Sequence, residues 1–235
     1  MKIRNMAMIL AAAGLGLAFS ACDEARETRT ETRTVDAAGA SSAAVSVRMG
    51  AGELRISGGA ASLLEAEFTT NIRRWAPELD YRVVGDRGRL QVRQKKGRSI
   101  FFGNRRNEWD LRLSGALPID LAVKLGAGES RLDLRGVNLE ALEVDMGVGE
   151  LHLDLTGPRT RDIEVKVDGG VGSATITFPR DIGVRVEVDG GIGSVNARGF
   201  VKDGHRYVNE AFGKTAAAIR VKVDAGIGSI DLREE

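Results

Sequence analysis

One acidic, glycine-rich motif occurs three times and is the pattern best suited to binding a metal ion. It reads Asp-Gly-Gly-x-Gly-Ser from Asp168 and from Asp189, and Asp-Ala-Gly-Ile-Gly-Ser from Asp224. Calcium-binding β-rolls carry a further aspartate two residues after the last glycine, and Ca²⁺ requires about six to eight oxygen ligands. In this chain that position is occupied by Ala174, Val195 and Ile230. We therefore interpret the aspartates as solvated turn residues and predict no metal site.

Catalytic chemistry has little support in the sequence. Of the two histidines, His152 falls on the polar phase of an alternating segment and His205 lies in a polar segment. The serines that follow the glycine motifs have no base at a suggestive spacing. A carbohydrate-cleaving enzyme needs clustered carboxylates or a metal on one face, whereas the outward charges here mix both signs. The sequence therefore predicts no catalytic residue and no cofactor.

A cationic segment with two adjacent aromatic residues interrupts the alternating pattern. Its members are Arg93, Lys95, Lys96, Arg98, Phe101, Phe102, Arg105 and Arg106. A strand would point Phe101 and Phe102 to opposite faces, so we predict a loop. One interpretation is a solvated loop whose phenylalanines pack under the domain. The other is a contact with a membrane or an anionic polymer, where each cation near an anionic surface is worth about 1 kcal/mol.

The N-terminus has the pattern of an export signal. Lys2 and Arg4 precede an uncharged apolar run over residues 6–19, which is too short to span a membrane. The run ends in Phe-Ser-Ala before Cys22, the only cysteine of the chain. We predict a lipoprotein signal peptide over residues 1–21, lipid attachment at Cys22 and an extracytoplasmic location. The alternative is an ordinary signal-peptidase cut beside a chance cysteine.

The overall charge argues against a nucleic-acid partner. The chain has 34 basic and 33 acidic side chains, and loss of residues 1–21 would leave 32 basic and 33 acidic ones. Domains that bind nucleic acid are typically strongly basic. Residues 22–44 are rich in Glu, Arg, Thr, Ala and Ser, with almost no large apolar residue. We predict a flexible tether there, with a first edge strand over residues 27–35 as the alternative.

The rest of the chain is organised by a repeat. An alternating segment runs six times into Gly-x-Gly and then into another alternating segment, and the middle four copies are spaced 21, 23 and 21 residues apart. We predict that these glycines make structural turns, because glycine tolerates positive φ and close backbone approach. The glycines are Gly50, Gly52, Gly126, Gly128, Gly147, Gly149, Gly170, Gly172, Gly191, Gly193, Gly226 and Gly228.

The period of the apolar residues predicts strands with one buried face and one wet face. In the third copy the alternating apolar residues are Leu142, Val144, Met146, Leu151, Leu153 and Leu155. A second break near Gly157-Pro158 and Pro179 gives two short strands per unit. The units could stack as coils of a solenoid or form an antiparallel meander, and the pattern leaves both open.

The segment between the first and second copies is atypical. Leu79, Tyr81 and Val83 alternate before a Gly-bounded loop, and Leu90 and Val92 alternate after it. This pattern predicts a β-hairpin that caps one end of the array. Further along, Trp109 is expected in the core of this cap. Helical patterns are limited to residues 61–68 and 209–218.

The residues just described resemble a known family. The segment Met49-Gly50-Ala51-Gly52-Glu53-Leu54-Arg55-Ile56, the Leu-Glu-Ala-Glu-Phe run from Leu64, Trp75 and the hairpin ending in Val92-Arg93-Gln94 look like the N-terminal toast-rack domain. The repeats of the type Val188-Asp-Gly-Gly-Ile-Gly-Ser look like the C-terminal domain of the LiaF cell-wall-stress regulators and of related adhesin domains. The resemblance covers about residues 45–232.

The resemblance implies a domain outside the cytoplasm, of a kind found in lipoproteins and envelope-stress membrane proteins. We therefore expect residues 45–235 to form an all-β, Gly-rich repeat β-solenoid, single-stranded and β-helix-like, of the toast-rack type. The expected function is that of a non-enzymatic cell-envelope lipoprotein acting in binding, adhesion or as a scaffold. Its expected partners are the membrane, through the lipid anchor, and an envelope protein or polysaccharide. The alternatives are an accessory regulator of envelope stress and, less favoured, a carbohydrate-active β-helix enzyme.

Overall fold

A computed structural model describes residues 27–95 and 105–235, with the side chains of Arg73 and Ile192 left aside. Within these ranges the chain forms thirteen strands in one open sheet and one short 3-10 helix, Arg73–Trp75, and it contains no α-helix. The predicted all-β class is confirmed. The predicted signal peptide and Cys22 lie outside the described residues.

The strands are β1 (Arg29–Val35), β2 (Ser42–Ala60), β3 (Leu64–Thr70), β4 (Pro77–Val84), β5 (Arg87–Gln94), β6 (Asn107–Ser114), β7 (Ile119–Asp133), β8 (Leu139–Asp154), β9 (Ile163–Phe178), β10 (Gly183–Ala197), β11 (Val201–Asp203), β12 (Arg206–Val208) and β13 (Ala218–Glu234). Six of them are long and contain the Gly-x-Gly motifs: β2, β7, β8, β9, β10 and β13. The long strands pair in parallel, with their glycines in register. The antiparallel meander is therefore wrong for the repeat array.

Each long strand bends at its Gly-x-Gly motif. A straight strand of 15 residues would be about 50 Å long, and the chain would have to return over that distance to begin the next parallel strand. Residues 134–138, which alone connect the end of β7 to the start of β8, are too few to span it. We call the residues before the motif the first arm and those after it the second arm. Side chains of both arms line one small, partly open cavity, including Met146 and Val167 from first arms and Leu151 and Ile230 from second arms.

The core lies between the two arms. The inward positions predicted from the alternation are buried in both arms, as at Leu142, Val144, Leu151 and Leu153, each no more than 2% exposed. Because a strand alternates its side chains between two faces, every second residue faces solvent. Burial of this apolar face against the opposite arm, at about 25 cal/mol per Å², is the main stabilising contribution to the fold.

The repeats do not stack in chain order. The order of long strands is β2, β7, β8, β9, β13 and β10, so the last repeat lies between the fourth and the fifth. β10 is therefore the outermost long strand, and a small hairpin of β11 and β12 continues its first arm, where β12 pairs with Arg185, Val186 and Glu187. The turns between Asn209 and Ala217 replace the helix suggested by the pattern over residues 209–218.

The opposite end of the array contains the predicted hairpin cap. β4 and β5 pair antiparallel, and β5 pairs in parallel with the first arm of β2 while β6 pairs in parallel with its second arm. Together β5 and β6 occupy the place of one more long strand. The sequence between them, residues 95–106, contains no Gly-x-Gly motif.

Two expectations near the N-terminus are wrong. The helical pattern over residues 61–68 corresponds to strand β3, in which Leu64, Ala66 and Phe68 alternate and pack beside β6. The tether predicted over residues 22–44 contains strand β1 and the start of β2, so the edge-strand alternative describes residues 29–35. β1 forms although its side chains are mostly exposed, because backbone hydrogen bonding to β3 does not require apolar residues.

Candidate functional site

The glycine motifs form two columns of stacked backbone along one edge of the sheet. A Cβ atom on the second glycine of a motif would collide with the carbonyl oxygen of the second glycine in the neighbouring strand, as for Gly149 against Gly128 and Gly172 against Gly149. Five of the second glycines also have positive φ: Gly52, Gly128, Gly149, Gly172 and Gly228. The first glycines form the other column.

The first glycines are required for a different reason. Gly170 does not have a positive φ, yet a Cβ there would collide with the carbonyl oxygen of Gly147. The same collision recurs between Gly147 and Gly126, and between Gly126 and Gly50. Close approach of backbone, and not a left-handed conformation, therefore excludes side chains from this column.

The residue between the two glycines points to solvent. Val148, Val171 and Ile227 hold this position in β8, β9 and β13, and each is about half exposed. They are neighbours in register, so they form a short apolar row, which we call the corner ridge. In β2 and β7 the same position is occupied by Ala51 and Ala127.

The three aspartates of the acidic motif line up with Asp145 beside this ridge. Asp145, Asp168, Asp224 and Asp189 are consecutive neighbours on β8, β9, β13 and β10. Each is close to a lysine: the Lys166 Nζ is 2.7 Å from Asp168 and the Lys222 Nζ is 3.6 Å from both Asp189 and Asp224, while Lys124 pairs with Asp145. The hydrogen bond to Asp168 raises the pKa of Lys166. The aspartates thus belong to a solvated ladder of ion pairs.

The structure brings together one group that the sequence did not suggest. His152 Nε2 lies 3.6 Å from Glu129 and 3.8 Å from Glu150. The three residues come from the adjacent strands β7 and β8, which explains why spacing along the chain does not reveal them. His152 is 44% exposed, and Glu129 already pairs with Arg131. Glu150 and His152 are exposed, and Glu129 is partly buried. His205 lies in the turn between β11 and β12, where its carbonyl accepts a hydrogen bond from the Val188 N–H.

The described part of the cationic segment is paired with acids. Arg93 Nε lies 3.0 Å from Glu78, Lys95 Nζ lies 3.7 Å from Glu78, and Arg106 bonds to Glu108 at 2.7 Å. The hydrogen bond from Arg106 lowers the pKa of Glu108. These acids, from β4 and from the start of β6, reduce the net charge that the segment alone suggests. Arg105 is exposed, and Lys96, Arg98, Phe101 and Phe102 lie outside the described residues.

Two amide side chains close the corner of β2, where the next long strand would lie. Gln94 Oε1 accepts a hydrogen bond of 2.8 Å from the Gly50 N–H, and Asn107 Nδ2 donates one of 2.7 Å to the Ala51 carbonyl. Asn107 is buried, and its Oδ1 accepts a hydrogen bond from Trp109 Nε1. Asn107 lies on the same inward-facing side of β6 as Trp109 and Leu111. A polar residue in that alternating apolar series is the sequence feature that could have identified it.

A polar groove crosses the outer face of the first arms. It spans β5, β2, β7, β8, β9 and β13, and its lining includes Arg89, Gln91, Ala122, Glu143, Lys166 and Lys222. The lining mixes both signs of charge with small side chains. This groove is a broad, shallow concave surface of the described residues. No helix in these residues is long and apolar enough to cross a membrane.

Comparison with known proteins identifies the fold. A family model described as "N-terminal domain of toast_rack, DUF2154" matches residues 24–177. A crystal structure of "a putative cell adhesion protein" from Clostridium sporogenes is 35% identical, with a TM-score of 0.86 over 89% of this chain and 100% of that one. A structure named "a putative adhesin" from Bacteroides fragilis is 14% identical over 88% of this chain and 98% of that one, with a TM-score of 0.30. No curated protein matches the chain. The chain belongs to the toast-rack family.

Proposed function

We propose that the chain is a non-enzymatic binding module of the bacterial cell envelope that acts in adhesion or as a scaffold. The observation that carries this proposal is the polar groove, which offers mixed charges and small side chains across six strands. A surface of this kind fits a polar polymer or a protein better than a small apolar ligand. The similarity over 89% of this chain to a protein named for cell adhesion supports the same assignment.

We infer that the long strands wind as a two-walled coil, which follows the predicted solenoid from β2 to β9 and departs from chain order at β13 and β10. The short connections and the cavity lined by both arms support this arrangement. Each strand adds about 4.8 Å along the coil, so six long strands extend over roughly 25 to 30 Å. Most long strands pair with a neighbour on both sides, which makes such a surface rigid. A rigid surface loses little conformational entropy when it binds.

The lipid anchor at Cys22 belongs to the same proposal. The small residues before Cys22 and the lack of any other cysteine support it. We expect an alkyne fatty acid to label the protein in growing cells and a Cys22→Ser variant to remain unlabelled. Label on that variant would contradict the anchor while leaving the binding function unaffected.

The groove is tested by blocking it with a bulky side chain. Ala122 lies on the groove face of β7 between Ser46 and Glu143 of the neighbouring strands, so Ala122→Trp fills the groove. The matched control is Thr175→Trp, on the second arm of β9. We expect the Cys22→Ser protein to sediment with cell-wall sacculi of its own bacterium, and Ala122→Trp to reduce the bound fraction at least fivefold. Equal binding of the two tryptophan variants, or no sedimentation with sacculi, would contradict the groove as the contact area.

A further inference from the structure

The second arms belong to one continuous wall whose two ends differ. Beyond β2 this wall continues through β6 and β3 to β1, and at the other end it stops at the second arm of β10. An outermost strand exposes unpaired N–H and C=O groups, and proteins usually protect such edges with charges, proline or a covering segment. The residues of the outermost strand at each end therefore show whether that edge is protected.

The β10 end has free hydrogen-bonding groups. Within the described residues its second arm, 191–197, pairs with β13 alone, whereas its first arm is covered by β12. Arg198 donates its N–H to the Leu232 carbonyl at 3.1 Å, so residue 198 faces β13. Alternate residues of a parallel strand face the same neighbour, and therefore Val195 and Ala197 direct their N–H and C=O groups outward.

The side chains at this end leave the edge unprotected. Residues 190–197 include no charged residue and no proline. Val195 and Ala197 pack against the core but are only partly buried, whereas their neighbours on β13, Ile230 and Leu232, are 6% and 0% exposed. The end of the coil thus presents free backbone groups above partly uncovered apolar side chains.

The β1 end is protected by charge. Glu31 and Arg33 lie opposite Phe68 and Ala66 of β3, so they share the inner face of the wall, and they pair with each other. Arg29 occupies the same phase. Inward-pointing charges at an edge oppose the addition of another strand, because the new strand would bury them.

We propose that a second copy of the chain pairs with the β10 edge, so that two copies join through residues 191–197 about a twofold axis. Self-pairing places the neutral edge and the apolar Val195 and Ala197 of one copy against those of the other. Pairing of β10 with β1 of another copy would place Arg29, Glu31 and Arg33 against those apolar side chains. A twofold contact uses the same surface on both copies, so the assembly closes as a dimer instead of growing into a filament.

The test measures the mass of the Cys22→Ser chain by sedimentation velocity across a concentration series. We expect a dimer at tens of micromolar or below. Ala197→Pro removes an outward N–H without breaking a bond to β13, and Val195→Lys adds an inward charge like those of β1. Both variants should sediment as monomers with the circular dichroism spectrum of the parent. The control Thr32→Lys, at the β1 edge, should remain dimeric.

An independent readout uses the lack of other cysteines in this background. Asn196→Cys should form a covalent dimer on mild oxidation, because residue 196 lies close to the proposed axis. A monomer at all concentrations, a dimer that survives both Ala197→Pro and Val195→Lys, a Thr32→Lys variant that dissociates, or open-ended oligomers would each overturn the proposal. If either β10 variant fails to fold, the other variant and the cross-link decide.

Discussion

The corner of the repeat array and the corner of the cap solve the same problem by partly different means. Along the array, each Gly-x-Gly corner packs directly against the backbone of the next one, as Gly149 does against Gly128. At β2 the backbone carbonyl of Asn107, and not another glycine, lies against Gly52. There the side chains of Gln94 and Asn107 reach the backbone of Gly50 and Ala51.

The difference shows what each corner requires of the sequence. In the array any side chain is excluded, so the requirement falls on every glycine of a column equally. In the cap specific side chains are required. Their hydrogen bonds differ in how deeply they are buried. Asn107 is buried and central, whereas Gln94 is partly exposed. Substitutions should therefore be uniformly severe in the array and graded in the cap.

The largest effect is expected at a second glycine of the array. In Gly149→Ala the Cβ would collide with the Gly128 carbonyl oxygen at a φ of 142°, which L residues rarely adopt. We expect a loss of at least about 3 kcal/mol in the free energy of unfolding, or no folded protein. The measurement is denaturant unfolding followed by circular dichroism.

A matched glycine in the next strand serves as the control. Gly169 has no atom near its Cβ position, and its neighbour in β13 is Ala225. Gly169→Ala should change the free energy of unfolding by less than about 1 kcal/mol. Equal losses for Gly149→Ala and Gly169→Ala would show that the columns are not the constraint.

The next largest effect is expected at Asn107. Asn107→Ala leaves the Ala51 carbonyl and the buried Trp109 Nε1 without their partner. An unsatisfied buried polar group costs about 1 to 3 kcal/mol, so we expect a loss of about 2 to 4 kcal/mol for the two groups. A loss in the free energy of unfolding below that of a typical surface substitution would mean that water forms the hydrogen bonds that the Asn107 amide made.

Trp109→Phe should have a smaller effect because it removes only one of these hydrogen bonds. A phenylalanine keeps an aromatic ring beside Phe68, whose ring centroid is 5.2 Å from that of Trp109. We expect a loss of about 1 to 2 kcal/mol. In a double-mutant cycle, Asn107→Ala with Trp109→Phe should cost less than the sum of the two. Strict additivity would contradict the bond between the two side chains.

The sequence predicts the array better than its ends. The period-two alternation identifies the inward residues, such as Leu142 and Leu153, because burial on one face leaves a direct trace in the pattern. It does not predict that β13 lies between β9 and β10. The segments from Asp189 and Asp224 carry nearly the same motif, so either fits beside the segment from Asp168, and the order is decided by contacts of the whole chain.

The candidate surfaces were predictable to different degrees. The cationic segment is visible as a run of residues, but its partners Glu78 and Glu108 become evident only once β4, β5 and β6 are paired. The polar groove draws single residues from six strands, and no local pattern marks it. Strand β1 was predicted only as the alternative to a tether, because an edge strand held by backbone pairing needs no apolar face.

The smallest effect is expected at Gln94, at the exposed side of the same cap. Its Oε1 accepts the hydrogen bond from the Gly50 N–H, and its neighbour Gln91 on β5 faces the polar groove. In Gln94→Ala, water can reach the Gly50 N–H, and the other bond lost, from Asn107 Nδ2, is long at 3.3 Å. The loss in the free energy of unfolding should therefore be only about 0.5 to 1.5 kcal/mol. Gln91→Ala should have a smaller effect still, because it removes no bond to a corner. If Gln94→Ala lowers the free energy of unfolding as much as Asn107→Ala does, the two amides act as one unit. Substitutions in the cap would then be uniformly severe, as we expect for the array.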